Sequence, residues 1–329
     1  MESMRCDPLR LAAGVVPRLL PAQQARIIRE HRLAINFIVR DGEGFLERNV
    51  ARLASLGRRF REYRIFYVEN DSKDNTRAVL RRLAQEYPSF RGLMLDGLGN
   101  ESHALCPARM QEMNCERRLT LLAYLRQRAL ELVQTSWAHW TALLSVDIDF
   151  LTFTADQYVG AFVTGVLHNA SAVFGMSVCA SSTAISGVRP YDIAAIWPPH
   201  AQATISRICL TRVESAFSGF GTYFASTLRW VRPVYWPRHS RRRGPNAPAT
   251  TEHNDFNAKI AAACGATCPL LVDPNFRPTF DWGEVHFLER VVRASASSRS
   301  SSTALARQDD RLRTTHGLRA SVRNRTGPS

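Results

Sequence analysis

An unbroken apolar run that ends in two closely spaced carboxylates constrains the fold more than any other part of this chain. Residues 140–150 read WTALLSVDIDF, and the run ends at Asp147 and Asp149. An apolar stretch of this length between polar residues predicts a strand that is buried on both faces, which is typical of a parallel sheet. Open α/β sheets bind ligands at the carboxyl ends of such strands. The two aspartates are therefore expected at a ligand-binding edge.

The spacing of the two aspartates predicts a divalent metal site. Two carboxylates this close repel each other, and burying them without a cation costs several kcal/mol. Mg²⁺ and Mn²⁺ prefer oxygen ligands and would remove the repulsion. The alternative is a strand end with two solvated acids, because Asp-x-Asp is a common tripeptide. The other residues at the same edge therefore decide between a metal site and a solvated strand end.

Strands and helices alternate through the first half of the chain. The patterns predict strands over residues 33–39, 64–68 and 92–96, and helices over residues 45–56 and 115–134. This alternation predicts an α/β fold with a mostly parallel central sheet flanked by helices. Beyond about residue 180 the segments become shorter around glycines and prolines, which predicts a smaller mixed region.

Composition divides the chain into three predicted parts. Residues 1–31 form an N-terminal helical extension, residues 32–288 the α/β domain, and residues 289–329 a basic, disordered tail. The net charge is +14, and nine arginines against two aspartates place about half of this excess in residues 290–329. The charge is terminal and lacks interleaved aromatic residues, which argues against nucleic acid as the partner. No stretch reaches the roughly 18 to 20 apolar residues of a membrane span, so we expect a cytoplasmic location, with secretory-pathway association as the alternative.

Two further groups of acidic residues are predicted at the same edge of the sheet. Glu69 and Asp71 follow the second strand, where a doubly wound sheet holds a nucleotide. Glu252 and His253 open a late helix, in a place suited to a base or to a further metal ligand. Together with the aspartate pair, they strengthen the prediction of a metal-assisted site for a nucleotide.

Several common motifs are missing from the sequence. It has no Gly-x-x-x-x-Gly-Lys-Ser/Thr loop, no Gly-x-Gly-x-x-Gly after the first strand, and no Gly-x-Ser-x-Gly elbow. These absences argue against P-loop nucleotidases and dinucleotide oxidoreductases. The seven cysteines are odd in number and irregularly spaced, so we expect reduced, mostly buried thiols and no disulfide framework. Cys264 and Cys268 lack the second pair that a zinc site needs.

Six short motifs, in order along residues 33–275, resemble those of GT-A glycosyltransferases. Residues 68–76, VENDSKDNT, look like the first nucleotide-binding motif of that class, and residues 146–149, VDID, match its Asp-x-Asp motif. Four segments resemble the fungal capsule-associated mannosyltransferase family and related algal and viral glycosyltransferases: RLTLLAYLR at 118–126, PYDIAAI at 190–196, SAFSGFGTY at 215–223 and TEH at 251–253. The resemblance therefore rests on an ordered set and not on any single motif.

The resemblance implies a GT-A, Rossmann-like fold and transfer of a sugar from a nucleotide-diphosphate sugar, linked to GDP or UDP, to a glycan or other hydroxyl acceptor. It also implies Mn²⁺ or Mg²⁺ as a Lewis acid for the leaving diphosphate. It assigns the metal to Asp147 and Asp149. It assigns the nucleotide sugar to Glu69, Asp71, Arg118, Arg126 and Asp147.

On the acceptor side, the resemblance implies two catalytic residues, Glu252 and Asp192. Glu252 would be the base if the reaction inverts, and would orient the acceptor if it retains. Asp192 would contact the acceptor. His253 would complete the metal shell, with a histidine of the helix start as the alternative. Gln127 stands where the family usually has Asn and Thr251 where relatives often have Cys, which leaves the donor sugar open.

Two other functions stay open on the sequence alone. A metal-dependent nucleotidyl- or phosphotransferase also uses paired carboxylates above a parallel sheet. A basic nucleic-acid-binding protein would use the arginine-rich tail. Transfer of a nucleoside monophosphate would identify the first. Loss of nucleic-acid binding on deletion of residues 290–329, with hydrolysis of sugar nucleotides intact, would exclude the second as the function of the protein.

Overall fold

The computed structural model describes residues 19–98, 113–179, 210–235 and 251–280. Asp192 and the predicted tail, residues 289–329, lie outside the described residues. The strands are β1 Arg32–Val39, β2 Glu62–Asn70, β3 Phe90–Leu95, β4 Ala142–Val146, β5 Phe150–Thr152, β6 Ala172–Gly175, β7 Val178–Cys179, β8 Thr211–Val213, β9 Phe220–Phe224, β10 Leu270–Asp273 and β11 Thr279–Phe280. The helices are α1 Pro21–Ile28, α2 Leu46–Gly57, α3 Thr76–Glu86, α4 Met113–Gln134, α5 Ala155–Leu167, α6 Ala225–Val231 and α7 Glu252–Cys264.

The main sheet contains eight strands in the order β3-β2-β1-β4-β9-β6-β10-β8. Six of them run in one direction, whereas β9 and β8 run antiparallel to their neighbours. The predicted α/β class and the mostly parallel central sheet are confirmed. The departure from a simple parallel array is β9, which lies antiparallel between β4 and β6.

Helices cover both faces of the main sheet. On one face, Ile35 of β1 and Leu53 of α2 belong to one buried cluster, which α3 and α5 also join. On the other face, Phe66 of β2 packs in a second cluster with Leu130 of α4 and Phe256 of α7. Burial of such a side chain contributes roughly 1.5–3 kcal/mol, so the sheet is held from both sides. β4, in the middle, is buried at every position, as its apolar sequence predicts.

A smaller sheet of three strands has the order β5-β11-β7. Its pairing is mixed, since β11 is antiparallel to β5 and parallel to β7. The sequence predicts a smaller mixed region from the second half of the chain. The structure adds a strand from the first half, because β5 begins directly after Asp149.

The last described helix ends in a disulfide between Cys264 and Cys268. Gly265, with φ 53°, turns the chain back after α7. This turn brings the two Cα atoms to 5.1 Å, within the usual span of a disulfide. The expectation of reduced thiols is wrong for this pair, because the helix-ending turn is visible only in three dimensions. No helix among the described residues is both long enough and apolar enough to cross a membrane.

Candidate active site at the carboxyl edge of the sheet

Arg126 joins two parts of the chain that the sequence predicts to share a site. Its Nη2 donates to Asp147 Oδ1 at 2.6 Å, and its Nε donates to Glu252 Oε1 at 2.8 Å. The Arg126, Asp147 and Glu252 side chains are only 6%, 18% and 7% exposed. Helix α4, the end of β4 and the start of α7 thus meet in one buried ionic cluster.

The local sequence explains why Arg126 points inward. It lies one helical turn from Ala123 and from Leu130, both of which are buried on the sheet-facing side of α4. Asp147 is held just beyond β4, where its backbone N–H donates to Gly219 O at 2.8 Å. Gly219 has φ 74°, and a Cβ there would collide with the ring of Phe280. The glycine-bearing segment 215–223 therefore lies directly beside the first aspartate.

The charges of the cluster keep Arg126 ionised. Burial by itself lowers the pKa of Arg126, but the negative charges of Asp147 and Glu252 outweigh burial and raise the pKa above its ordinary value. The guanidinium also lies over Phe217, with Cζ 4.8 Å from the ring centroid, a favourable cation–π arrangement. This arginine is a fixed positive charge among the carboxylates.

Asp149 differs from Asp147 in its surroundings. The residue keeps solvent exposure, although protein atoms surround most of its carboxyl group. This partial burial, and after it the charge of Asp147, raise the pKa of Asp149 to about 7. The second aspartate is therefore partly protonated at neutral pH, and a nearby cation would favour its ionised form.

The two aspartates fit a divalent cation by their chemistry. Both are hard oxygen donors, and a divalent ion would offset the burial and the charge of Asp147, in that order the causes that raise the pKa of Asp149. Within the described ranges, however, no group of three or more His, Cys, Asp or Glu side chains is arranged to hold a metal ion. Any third ligand would have to come from a rearranged side chain, from the substrate or from water.

His253, the predicted third ligand, lies in an aromatic environment. Its ring stacks on Phe217, with centroids 3.5 Å apart, and its Nδ1 is 3.3 Å from Tyr235 Oη. Its Nε2 is buried without a hydrogen bond, 3.6 Å from Glu252 Oε1. Burial, and then the charge of Arg126, hold the pKa of His253 well below its ordinary value. The imidazole is neutral, as a metal ligand must be, and its role as a ligand stays a prediction.

Glu69 and Asp71, predicted to hold the nucleoside, make local contacts. Glu69 is fully buried and accepts from Arg77 Nε at 2.5 Å and from the backbone of Ser72 at 2.7 Å. Asp71 has φ 48°, and its two oxygens accept from the N–H groups of Gly97 and Leu98 at 2.8 and 2.9 Å. These acids shape the edge of the sheet, and direct contact with a nucleoside stays a prediction.

Arg118 lies on the same helix as Arg126, eight residues earlier. That spacing places it roughly 12 Å along the helix axis from Arg126. Its side chain is half-buried. The sequence analysis assigns both arginines to the nucleotide sugar, but the structure separates them. Arg126 belongs to the ionic cluster, and contact of Arg118 with a base or diphosphate stays a prediction.

Two loops at this edge are interlocked, a feature that sequence reasoning missed. Residues 41–43 follow β1 and residues 72–76 follow β2. In one direction, the backbone N–H of Gly42 donates to Thr76 Oγ1 at 2.6 Å. In the other, the backbone N–H of Lys73 donates to Asp41 Oδ1 at 2.7 Å. The short polar residues indicate turns, but their pairing across the loops has no local signal.

We expect Asp149→Asn to reduce the pH dependence of stability. The pKa of Asp149 is about 7 in the folded protein, against an ordinary value of 3.8. Its stabilising contribution is therefore present below about pH 4 and is lost as the pH rises through 7. At pH 8 without divalent metal, the variant should be more stable by about 1 kcal/mol, the size usual for a solvent-screened charge. Thermal unfolding at pH 5 and pH 8 in a chelating buffer measures this.

Asp156→Asn is the matched control for that measurement. Asp156 is an exposed aspartate at the start of α5 that pairs with Arg59. The Asp156→Asn variant should show the same pH dependence of stability as the wild type. An equal drop in Tm between pH 5 and pH 8 for the wild type and Asp149→Asn would contradict the raised pKa.

Comparison with known proteins finds similarity at the level of structure. No protein-family model matches the chain, and no curated protein sequence matches it. Staphylococcus aureus TarS has 13% identity and a TM-score of 0.47, and the match covers 80% of this chain and 38% of that chain. The mannosyltransferase PcManGT from Pyrobaculum calidifontis, solved with GDP-Man and Mn²⁺, has 10% identity and a TM-score of 0.45, covering 78% of this chain and 59% of that chain.

A third similar structure is glucosyl-3-phosphoglycerate synthase from Mycobacterium tuberculosis, solved with Mn²⁺, UDP-glucose and phosphoglyceric acid. It has 12% identity and a TM-score of 0.44, and the match covers 84% of this chain and 81% of that chain. The chain thus spans less than two thirds of the length of TarS and of PcManGT. These similarities describe the path of the backbone alone.

Proposed function

We propose that the protein is a nucleotide-sugar glycosyltransferase of the GT-A type, in the hexosyltransferase class, that uses Mn²⁺ or Mg²⁺. The observation that carries the proposal is the bridge that Arg126 makes between Asp147 and Glu252. The Asp-x-Asp acid expected on the donor side and the acid expected on the acceptor side lie on either side of one guanidinium. A transferase needs these two half-sites in contact, because the sugar moves from one to the other.

On the donor side, the chain's own groups would hold a nucleotide diphosphate. Asp147 and Asp149 would bind the cation, whose charge stabilises the negative charge developing on the leaving diphosphate. Two carboxylates, Asp147 and Glu252, share the single charge of Arg126, and the charge of Asp147 also acts on the nearby Asp149. This excess of negative charge supports the binding of a cation, since a buried carboxylate without a counter-charge is unfavourable.

On the acceptor side, Glu252 would act on a hydroxyl group. It is the first residue of α7, and Arg126 holds its Oε1 at 2.8 Å. The second carboxylate oxygen would accept the proton of the acceptor hydroxyl in an inverting reaction, or orient that hydroxyl in a retaining one. Asp192 would contact the same acceptor.

A thermal-shift screen of nucleoside diphosphates with and without Mn²⁺ tests the proposal. A ligand at about 100 times its Kd stabilises the folded state by roughly 2.7 kcal/mol. We expect one base type to raise the Tm, in a metal-dependent way, and Asp149→Ala to remove the metal dependence. Asp156→Ala, which removes an exposed aspartate at the start of α5, should keep it. An equal response to every nucleotide, or no effect of Asp149→Ala, would overturn the assignment.

A radiolabelled donor separates the two enzyme classes that share this chemistry. A glycosyltransferase passes the labelled sugar to a hydroxyl acceptor and releases the nucleoside diphosphate. A nucleotidyl- or phosphotransferase passes on the nucleoside monophosphate or a phosphoryl group instead. Transfer of label from the nucleoside, with none from the sugar, would replace the proposed function by the alternative.

A further inference from the structure

We infer that Asn49 is a positioning residue that holds the turn carrying Asp149, an inference that rests on the proposed function. Asn49 lies in α2, far from the predicted site in sequence, and is fully buried. Its Nδ2 donates to Ile148 O at 2.6 Å and to Phe150 O at 2.7 Å. A single amide group therefore holds the backbone carbonyl on each side of Asp149.

The amide of Asn49 is itself held in this orientation. Its Oδ1 accepts from Arg48 Nε at 3.0 Å, so its NH₂ group must face the two carbonyls. Arg48 also donates through Nη2 to Phe150 O at 3.4 Å, and Arg52 donates to Leu151 O. Three side chains of α2 thus bind the backbone of residues 148–151.

The composition of α2 shows that Asn49 is not there for packing. Its inward face is otherwise apolar, with Leu46, Val50 and Leu53 fully buried around it. A buried amide costs free energy unless its hydrogen bonds are made, and here they are made to the turn. The two carbonyl groups that it binds therefore explain why an amide stands at this position.

The turn needs such a support because it lies between two sheets. β4 ends at Val146 and belongs to the main sheet, whereas β5 begins at Phe150 and belongs to the small one. Asp149 lies between them, outside both strands. A metal-binding carboxylate must be held to about 0.5 Å, and groups that orient ligands typically contribute 10- to 100-fold to metal affinity. Asn49 provides this restraint from behind the turn.

The test measures Mn²⁺ affinity of the full chain without nucleotide, by the electron paramagnetic resonance signal of free Mn²⁺. We expect Asn49→Leu, which keeps the branched shape of the side chain and removes both N–H donors, to weaken Mn²⁺ binding by about 10- to 100-fold. Asn49→Ala, which leaves room for water to bond the two carbonyls, is the second variant if the first does not fold, and should also bind Mn²⁺ more weakly.

Tyr158→Phe is the matched control. It removes another buried hydrogen bond, between Tyr158 Oη and Thr222 Oγ1 at 2.9 Å, and should lower stability by about 0.5–1.5 kcal/mol. A loss of affinity that comes only from lower stability would appear in this control as well. We expect its Mn²⁺ affinity to equal that of the wild type.

The outcomes separate this inference from the proposed function. If the wild type binds Mn²⁺ and the Asn49 variants bind it equally well, the positioning role is wrong and the proposed function stands. If the Asn49 variants and Tyr158→Phe lose affinity alike, the role of Asn49 is structural only. If the wild type binds Mn²⁺ only together with a nucleoside diphosphate, the same variants are compared in the presence of that nucleotide. If the wild type binds no divalent cation with or without a nucleoside diphosphate, the proposed metal-dependent function fails, and the inference fails with it.

Discussion

Glu252→Gln should lower sugar transfer by roughly 10²- to 10⁴-fold, the usual contribution of a general base, and leave nucleotide binding unchanged. Glutamine keeps an oxygen that can accept from Arg126 Nε, which is 2.8 Å from Glu252 Oε1 in the wild type. It cannot take a proton from the acceptor hydroxyl. The initial rate of transfer from a labelled nucleotide sugar, together with the nucleotide-dependent shift in Tm, measures the two effects separately.

Asp255→Asn is the control for this variant because it changes another acid in the first turn of the same helix. It removes one negative charge near the helix start without touching the bridge to Arg126. We expect transfer within about threefold of the wild type, in keeping with a screened surface charge. A loss below about tenfold for Glu252→Gln would contradict the role of base and favour the orienting role of a retaining enzyme.

Arg126→Met should lower the free energy of unfolding by about 3–5 kcal/mol, since it leaves two buried carboxylates without their counter-charge. The affected groups are Asp147 and Glu252, which are 18% and 7% exposed. Methionine fills much of the space of the arginine stem, so the loss reports charge more than packing. Urea unfolding at pH 7 measures it. Transfer activity should fall as well, because Glu252 loses the group that holds it.

Two further variants test the reason for that loss. Arg128→Met, on the same helix, removes a half-exposed pair with Glu131 and should cost less than about 1 kcal/mol. The double variant Arg126→Met/Glu252→Gln removes one of the two carboxylates that Arg126→Met leaves unpaired. It should lose less stability than the sum of the losses of the two single variants. If Arg126→Met costs no more than Arg128→Met, the ionic cluster does not stabilise the fold.

The sequence predicts the edge of the sheet better than the contacts within it. The apolar run before Asp147 and the helical spacing around Arg126 follow from local periodicity, which is why β4, α4 and the start of α7 are found where expected. The sequence predicts Glu69 directly after the second strand, whereas it lies within the last two residues of β2, and its full burial against Arg77 depends on packing. Strand ends can be read from local patterns, whereas the partner of a polar side chain depends on the whole fold.

The features that sequence reasoning missed are all non-local. The sequence indicates only a glycine-bearing segment at β9, since the antiparallel place of this strand between β4 and β6 depends on strands more than 40 residues away. Asn49 gave no signal, because a single polar residue on an amphipathic helix is ordinary and its partners lie about 100 residues further along the chain. The Cys264–Cys268 bond depends on the backbone turn at Gly265.

The interlocked loops after β1 and β2 have a consequence for engineering this protein. Glu43 binds Asn75 through both its oxygens, with Asn75 Nδ2 at 2.8 Å from Oε1, while Ser72 and Thr76 accept from the first loop. Each loop supplies hydrogen-bond partners to the other, so neither loop is a self-contained module. A chimera that imports only residues 72–76 from another protein would receive only one of two loops that hydrogen-bond to each other. Loop exchange at this edge of the sheet must move residues 41–43 and 72–76 as a single unit.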